Sequence, residues 1–241
     1  CQHRVKEKEF VQSCGIATAP FAPARSLAEA KAAVERIGTP CILKTCTMGY
    51  DGKGQQKITH MDEVAAAWNA LGSEDIIVEG YVAFEKEASV IVTRAGSGEM
   101  RIYPLVENIH QNHILHQTIA PANLPAPVMQ QASHIARSLA ECLQLQGILA
   151  VELFVCANGE LMVNELAPRP HNSGHWSMDA CLVSQFEQTI RAVAGLPLLD
   201  IGQHSRAVMT NLIGEDVTRW QEVAAMPQHC LHLYGKKDVK P

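Results

Sequence analysis

Apolar and polar positions alternate along the chain with two different periods, and these periods outline its helices and strands. A helical period follows a capping box formed by Ser26 and Glu29 and ends at Gly38. Other helices are predicted over residues 61–71, 127–146 and 182–194, with a helix-like charged run over 4–10. Strand-length apolar runs occupy residues 40–44, 56–58, 75–79, 88–92, 148–156 and 160–167, and residues 101–119 are extended. This mixture of helices and hairpin-forming strands predicts an α+β fold with much antiparallel sheet.

The strongest local signal is an Asn-Gly pair at residues 158–159 between two apolar runs. Such a pair is typical of a two-residue type I′ hairpin turn, which would place Phe154 opposite Val163 and Glu152 opposite Glu165. Like charges at opposed positions destabilise a sheet, and a divalent cation between them would remove this penalty. Mg²⁺ prefers one or two carboxylates together with substrate phosphates. The pair is therefore either a magnesium site or, with another register or at solvated strand ends, two ordinary carboxylates.

A second signal is the glycine-rich loop over residues 47–55. It is not a Walker A sequence, because no Gly-Lys-Ser/Thr follows, and it joins two strands, unlike the dinucleotide-binding fingerprint. Glycine-rich loops let backbone N–H groups approach phosphate closely, and Lys44 on the preceding strand is a candidate phosphate contact. The alternative is a hairpin tip without a ligand.

Two histidine-containing segments are candidate sites. His110, His113 and His116 do not share one face of a strand, so we interpret them as separate surface or loop residues. The polar segment over residues 169–176 follows a strand end, where substrate sites are common, and Arg169 suits carboxylate or phosphate. The alternative for this segment is an irregular loop held by its own hydrogen bonds.

Composition excludes several classes of protein. Apolar residues make up 47% of the 241 residues and the net charge is −5, which excludes a disordered chain and a strongly basic nucleic-acid binder. The apolar stretch over residues 148–157 is interrupted by Glu152 and is shorter than the ~20 residues of a membrane helix. The eight cysteines include no C-x-x-C pair and indicate buried, reduced thiols. We expect a soluble cytoplasmic protein that binds neither nucleic acid nor membrane.

Two segments together resemble a known enzyme family. Residues 164–176 read Asn-Glu-Leu-Ala-Pro-Arg-Pro-His-Asn-Ser-Gly-His-Trp, and residues 49–55 read Gly-Tyr-Asp-Gly-Lys-Gly-Gln. They resemble the 5-(carboxyamino)imidazole ribonucleotide synthases, which are ATP-grasp ligases of purine biosynthesis. The resemblance implies an ATP-grasp fold, in which two α+β subdomains clasp ATP, followed by the start of a small β-rich C-terminal domain. The implied domains are residues 1–78, with the glycine-rich lid loop, 79–197 and 198–241, without the family's N-terminal domain or the end of its C-terminal domain.

The resemblance also implies a reaction. ATP, bicarbonate and 5-aminoimidazole ribonucleotide would give the N-carboxylated product, ADP and phosphate through carboxyphosphate, on the route to IMP. Mg²⁺ or Mn²⁺ would be the metal, and a homodimer the assembly. The alternatives are another ATP-grasp carboxylate–amine ligase, or an ATP-binding fragment without turnover.

Individual residues take their implied roles from the same resemblance. The implied ATP-binding residues are Arg4, Lys44, Gly49, Tyr50, Asp51, Gly52, Lys53, Gly54, Gln55, Glu79, Gly80, Tyr81, Val82, Glu87, His110, Asn164 and Glu165. The implied substrate-binding residues are Tyr50, Asp51, Arg169, His171, Asn172, Ser173 and Lys236, of which Asp51, Arg169 and Lys236 are the implied catalytic residues. The implied metal ligands are Glu152 and Glu165. Ala167 stands where related ATP-grasp enzymes often carry Asn, so no third protein ligand is expected.

Overall fold

The computed structural model describes residues 2–47 and 54–235, beginning with a helix and a small sheet. Helix α1 spans Arg4–Ser13. The small sheet contains β1 Phe21–Ala24, β2 Cys41–Thr45, β3 Gln55–Ile58 and β4 Ile76–Gly80, all antiparallel, in the order β1-β4-β2-β3. Helices α2 Leu27–Ile37 and α3 Val64–Leu71 complete this part of the fold. Their apolar residues share one core with the sheet, which therefore holds β2 and β4 rigidly side by side.

The Ser26 cap that predicts α2 forms as expected, whereas the Glu29 carboxylate of the predicted capping box reaches one residue further back, to Arg25. Ser26 Oγ accepts a hydrogen bond from the Glu29 N–H at 3.2 Å, while the Glu29 carboxylate reaches back to the Arg25 N–H at 2.8 Å. The helix ends at Gly38, whose φ of +88° suits a residue without a side chain. The helix predicted over residues 61–71 is split, because its first turn, Met61–Glu63, is a 3-10 turn.

The second sheet has seven antiparallel strands and contains the other candidate residues. Its strands are β5 Phe84–Arg94, β6 Met100–Ile102, β7 Val106–Gln111, β8 Ile114–Ala120, β9 Gly147–Cys156, β10 Leu161–Ala167 and β11 Ala207–Thr210, ordered β10-β9-β5-β7-β8-β11, with β6 also paired to β5. Helix α4 Ala126–Cys142 packs its apolar face on the sheet. Further helices are α5 Ser177–Ala180, α6 Gln185–Val193 and α7 Trp220–Ala224. None of the helices within the described ranges is long and apolar enough to cross a membrane.

The β9–β10 turn is one residue longer than predicted. The Cys156 N–H donates to the Glu160 carbonyl at 2.9 Å, and the Gly159 N–H donates to the Cys156 carbonyl at 2.8 Å. The loop thus contains three residues, and Gly159 takes the positive φ of +80° that a three-residue loop with a G1 bulge needs. The two-residue type I′ turn was wrong.

A bulge in β10 compensates for the longer turn. Phe154 faces Met162, so the predicted pairing of Phe154 with Val163 was wrong. The register shifts by one residue between Val163 and Glu165, and beyond the shift Glu152 faces Glu165. The predicted pairing of the two glutamates is confirmed, although the turn alone would not have produced it.

The stretch predicted as extended over residues 101–119 is divided by a tight turn. Asn112 and His113 both have positive φ, 50° and 65°, and connect β7 to β8. His110 therefore lies on β7, His113 in the turn and His116 on β8.

The described cysteines are free thiols with very different exposure. Cys41, Cys46 and Cys181 are buried, whereas Cys142 and Cys230 are exposed. The expectation of buried thiols was therefore wrong for Cys142 and Cys230, and Cys14 and Cys156 are only half-buried.

Candidate functional site

A buried cluster of charges links α1 to the small sheet. The Lys44 ammonium on β2 lies 2.8 Å from the Glu79 carboxylate on β4, and the Lys8 ammonium lies 3.6 Å from the same oxygen. Lys8, Lys44 and Glu79 are 3%, 8% and 3% exposed. Burial by itself raises the pKa of Glu79, but the ammonium groups of Lys44 and Lys8 outweigh it and hold the pKa below its usual value. The glutamate is therefore a buried anion beside two lysines; burial lowers the pKa of Lys8, and the charge of Glu79 opposes this decrease.

Helix α1 places positively charged side chains against both sheets. Arg4 and Lys8 are one turn apart; Lys8 also donates to the Asn164 carbonyl at 3.4 Å, and Arg4 Nη1 donates to Glu165 at 3.2 Å. The start of the helix is anchored, because the Arg4 N–H donates to the Cys46 carbonyl at 3.0 Å. The charged face of α1 is thus turned toward the site.

The opposed carboxylates Glu152 and Glu165 each have a second partner. Glu165 is held by Arg4, as above, and Glu152 Oε1 lies 3.0 Å from His171 Nε2. Burial raises the pKa of Glu152, but the hydrogen bond from His171 and the nearby His110 and Arg169 hold it below its usual value. Two carboxylates at opposed positions on adjacent strands form a donor set that suits a hard divalent cation.

His110 and Glu87 form a further pair on the large sheet. His110 Nδ1 lies 2.8 Å from Glu87 Oε2, across β5 and β7. Burial lowers the pKa of His110, but the hydrogen bond with Glu87 and the charge of Glu152 raise it above its usual value overall. The site thus combines positively charged side chains with carboxylates.

The segment from Glu79 to Val82 connects the two sheets. The Gly80 N–H donates to the Pro20 carbonyl at 2.8 Å, and a Cβ at Gly80 would lie 2.8 Å from the Pro20 ring, so only glycine fits. Tyr81 is exposed, with the Lys57 ammonium 4.3 Å from its ring centroid, and Val82 is half-buried. This connection is therefore packed against Pro20 at Gly80 and exposed to solvent at Tyr81.

The polar segment after β10 folds around His171. Its ring caps the 3-10 turn Asn172–Gly174 by accepting from the Ser173 N–H, and its backbone is held by Gln185, which binds the His171 N–H at 2.9 Å and carbonyl at 2.7 Å. Arg169 is exposed and donates to the Pro170 carbonyl at 3.1 Å. Within this segment, His171 bonds directly to the Glu152 carboxylate.

Several predicted site residues lie outside the described residues. These are Gly49, Tyr50, Asp51, Gly52, Lys53 and Lys236. Of the glycine-rich loop, Gly54 accepts a hydrogen bond from the Thr45 N–H at 2.9 Å, and Gln55 pairs with Lys44 across β2 and β3. The loop therefore leaves the small sheet beside Lys44.

Comparisons with known proteins find matches that include both sheets. The ATP-grasp domain model matches residues 9–186, and the phosphoribosylaminoimidazole carboxylase C-terminal domain model matches residues 207–241. The N5-carboxyaminoimidazole ribonucleotide synthase of Brucella melitensis is 43% identical over 241 residues, covering 99% of this chain and 67% of the relative. The chain belongs to the N5-carboxyaminoimidazole ribonucleotide synthase family of ATP-grasp proteins. The resemblance and the ATP-grasp α+β fold inferred from the sequence are thus confirmed.

Other members of the N5-carboxyaminoimidazole ribonucleotide synthase family extend the comparison. The Bacillus subtilis synthase is 45% identical over 240 residues, and this chain spans 63% of its length. A crystal structure of the Aspergillus clavatus synthase in complex with ADP and 5-aminoimidazole ribonucleotide matches with a TM-score of 0.93 at 29% identity, covering 100% of this chain and 65% of that chain. The chain therefore spans about two thirds of the length of these relatives.

Three residues that pack around this family's site were missed from the sequence. Lys8 and Glu7 lie in the charged run of α1, and Gln185 begins α6. All three are buried. A usable signal existed for α1, because Arg4, Lys8 and Val11 recur at helical spacing on one face, but charged residues are ordinarily assigned to the solvent side. Gln185 carries no signal beyond the Ser184 cap before it.

Glu7 makes stability depend on pH. Burial raises its pKa from 4.5 to about 7, although its carboxylate accepts the Leu166 N–H at 3.1 Å. The folded protein thus keeps a proton that the unfolded chain releases above pH 4.5, so the stabilisation is complete below 4.5 and is lost as pH rises through about 7. We expect this change to be about 3 kcal/mol.

Urea unfolding of wild type and Glu7→Gln at about pH 5 and about pH 8 measures this contribution. Glutamine keeps the acceptor for the Leu166 N–H but does not titrate, so the stability of wild type relative to the variant should fall with pH. A constant difference between the two proteins would contradict the raised pKa.

Proposed function

We propose that the protein catalyses the ATP- and bicarbonate-dependent N-carboxylation of 5-aminoimidazole ribonucleotide through carboxyphosphate, in the synthesis of IMP. The observation that carries this proposal is the match, over the whole chain, to the A. clavatus synthase in complex with ADP and 5-aminoimidazole ribonucleotide. The opposed carboxylates and the His171 segment support it from the geometry. We propose domain boundaries at residues 1–78, 79–197 and 198–241.

The nucleotide would bind between the two sheets. We assign its phosphates to Arg4, Lys44 and the loop over residues 49–55, its adenine to the connection over residues 79–82, and its ribose to Glu87. Positively charged groups that are fixed in place contribute most to phosphoryl transfer by positioning and charge stabilisation. His110 and Asn164, which bind Glu87 and Lys8 respectively, complete this side.

Glu152 and Glu165 would hold the metal ion. They are oxygen donors on directly opposed positions, and each is oriented by a separate partner, His171 or Arg4. Bound Mg²⁺ or Mn²⁺ would neutralise charge on the phosphate oxygens. We assign no other protein ligand, since Ala167 has no donor in its side chain.

The carboxylation steps would occur beside these carboxylates. An oxygen of bicarbonate attacks the γ-phosphorus, the bond to ADP breaks, and the resulting carboxyphosphate releases phosphate and CO₂. The substrate amine then attacks CO₂ and loses a proton, which Asp51 would accept. We assign substrate contacts to Tyr50, Asp51, Arg169, His171, Asn172, Ser173 and Lys236.

ADP release measured with and without bicarbonate and 5-aminoimidazole ribonucleotide tests this function. We expect release that requires both and yields the carboxylated product in equal amount. Release stimulated by another amine or carboxylate instead would indicate a different ATP-grasp ligase. Nucleotide binding without any stimulation would leave an ATP-binding protein without turnover and would overturn the proposal.

We propose a homodimer in the cytoplasm as the working form. Helix α6 supports an assembly, because Phe186, Ile190 and Val193 form one apolar face and are 37%, 62% and 61% exposed. The seven free thiols among the described residues are compatible with a reducing compartment.

Ile190→Glu is expected to convert the dimer to a monomer, because a carboxylate at the centre of this face would lose its hydration on association. Light scattering of the protein measures the mass. Ala32→Glu, on the exposed side of α2, adds the same charge elsewhere and should remain dimeric. A variant that stays dimeric would place the interface on another surface.

A further inference from the structure

A chain of hydrogen bonds runs through the large sheet to the candidate site. The Thr118 hydroxyl donates to Asn108 Oδ1 at 3.1 Å, Asn108 Nδ2 donates to Ser89 Oγ at 3.0 Å, and the Ser89 hydroxyl donates to Ser173 Oγ at 2.6 Å. Ser173 Oγ lies 2.8 Å from His171 Nδ1. The side chains thus connect in one unbroken series.

These polar groups stand where a sheet normally carries apolar side chains. Asn108 is 6% exposed, and Thr118, Ser89 and Ser173 are 0% exposed. Thr118 lies on β8, Asn108 on β7 and Ser89 on β5. Ser173 lies in the 3-10 turn after β10. Buried polar networks are costly unless each member is paired, so a complete chain of this kind calls for an explanation.

The chain has a direction, and a backbone group agrees with it. The Ser173 N–H lies 3.3 Å from His171 Nδ1, and because a backbone N–H only donates, this long contact favours a lone pair on Nδ1, while the shorter contact of 2.8 Å is to the Ser173 hydroxyl at the end of the chain. The hydroxyl and amide donors point the same way, from Thr118 toward His171. The ring proton is therefore on Nε2, which faces Glu152 Oε1 at 3.0 Å.

We propose that Asn108, Ser89 and Thr118 are positioning residues that hold His171 as an Nε2–H donor and so fix the Glu152 carboxylate in one orientation. The bond occupies one carboxylate oxygen from the protein side and leaves the other for a ligand. Partners of this kind, one step removed from a metal ligand, orient the ligand and change metal affinity by about 10–100-fold when altered. The consequence for metal binding rests on the proposed function, whereas the state of the His171 ring does not.

Asn108→Asp reverses the chain at nearly constant shape. The new carboxylate can accept but not donate, so the Ser89 hydroxyl turns toward it and the Ser173 hydroxyl then donates to Ser89. The oxygen of Ser173 would then face His171 Nδ1 with a lone pair at 2.8 Å, and this contact outweighs the longer one of 3.3 Å from the Ser173 N–H. It favours a proton on Nδ1 and removes the donor to Glu152. We therefore expect the Nδ1–H form of His171 to replace the Nε2–H form.

Nitrogen-15 NMR of the imidazole rings measures this, with the His171 signals identified from a His171→Gln sample. At about pH 8.5, well above the ordinary imidazole pKa, wild-type His171 should show a pyrrole-like Nε2 and a pyridine-like Nδ1, and Asn108→Asp the reverse. Thr93→Val is the matched control, because this buried hydroxyl on β5 has no hydrogen-bond partner among the described residues; its spectrum should equal wild type.

If Asn108→Asp does not fold, Ser89→Ala interrupts the chain instead and should produce a mixture of the two ring forms. A wild-type Nδ1–H ring, or a folded variant of either kind with an unchanged ring, overturns the proposal. Titration with Mn²⁺ and ADP adds the second readout: apparent Mn²⁺ affinity should fall about 10-fold in Asn108→Asp and remain unchanged in Thr93→Val. A reversed ring with unchanged Mn²⁺ affinity would instead overturn the assignment of Glu152 as a metal ligand.

Discussion

Glu79→Gln is expected to lower the free energy of unfolding by about 3–5 kcal/mol in the absence of nucleotide. Glutamine preserves the size of the side chain but removes the negative charge between two buried ammonium groups. Lys44 lies 2.8 Å and Lys8 3.6 Å from the Glu79 carboxylate, and both lysines are at least nine-tenths buried. The loss is large because two like charges would remain out of water, rather than because the ion pairs themselves are strong.

Two further variants separate this explanation from a general loss of packing. Glu107→Gln breaks a similar short pair with Lys86, at 2.7 Å, whose side chains are 16% and 34% exposed, and should cost no more than about 1 kcal/mol. Lys8→Met added to Glu79→Gln removes one of the stranded charges and should recover part of the stability. Urea unfolding measures all of them, and a double variant no more stable than Glu79→Gln would contradict the charge explanation.

The parts of the fold that could be predicted are those specified by short-range signals. The Ser26 cap and Gly38 are adjacent in sequence to the helix that they bound, and the hairpin before Glu165 needs only a turn and two apolar runs. The turn is one residue longer than predicted, and the bulge shifts the register back by one residue. Because these two departures cancel, the prediction that Glu152 faces Glu165 was nevertheless correct. A turn rule cannot anticipate this bulge, because it lies beyond the turn, where the Val163 N–H donates to the Ala17 carbonyl at 2.9 Å, a contact distant in sequence.

The spacing of the charged residues in α1 is visible in the sequence, but their burial could not be predicted from it. Lys8 and Glu79 are 71 positions apart in the numbering and meet only when the helix crosses the small sheet. Periodicity assigns a charged helix face to solvent, and only the pairing with Glu79 makes burial tolerable. The hydrogen bonds from Asn108 to His171 have the same long-range origin, so single residues of this network carry no recognisable motif.

Glu165→Gln and Glu152→Gln are each expected to reduce ADP release that depends on 5-aminoimidazole ribonucleotide by at least about 100-fold, because charge neutralisation by a metal ion is worth several kcal/mol in the transition state. Glutamine keeps a neutral oxygen donor but weakens the hold on a divalent cation. The stability of Glu165→Gln should change far less, because the bond between Glu165 and Arg4 is part-exposed, with side chains 45% and 22% exposed, and is worth no more than about 1 kcal/mol.

A third glutamate of the same hairpin provides the matched control. Glu160 lies at the exposed tip of the turn, so Glu160→Gln makes the same chemical change without touching the opposed pair and should retain full activity. Raising free Mg²⁺ should partly restore the two inner variants and leave Glu160→Gln unaffected, since only a weakened metal site responds to metal concentration. Full activity in Glu165→Gln and Glu152→Gln would remove the metal from this pair, and the like-charge opposition on β9 and β10 would then need another source of compensation.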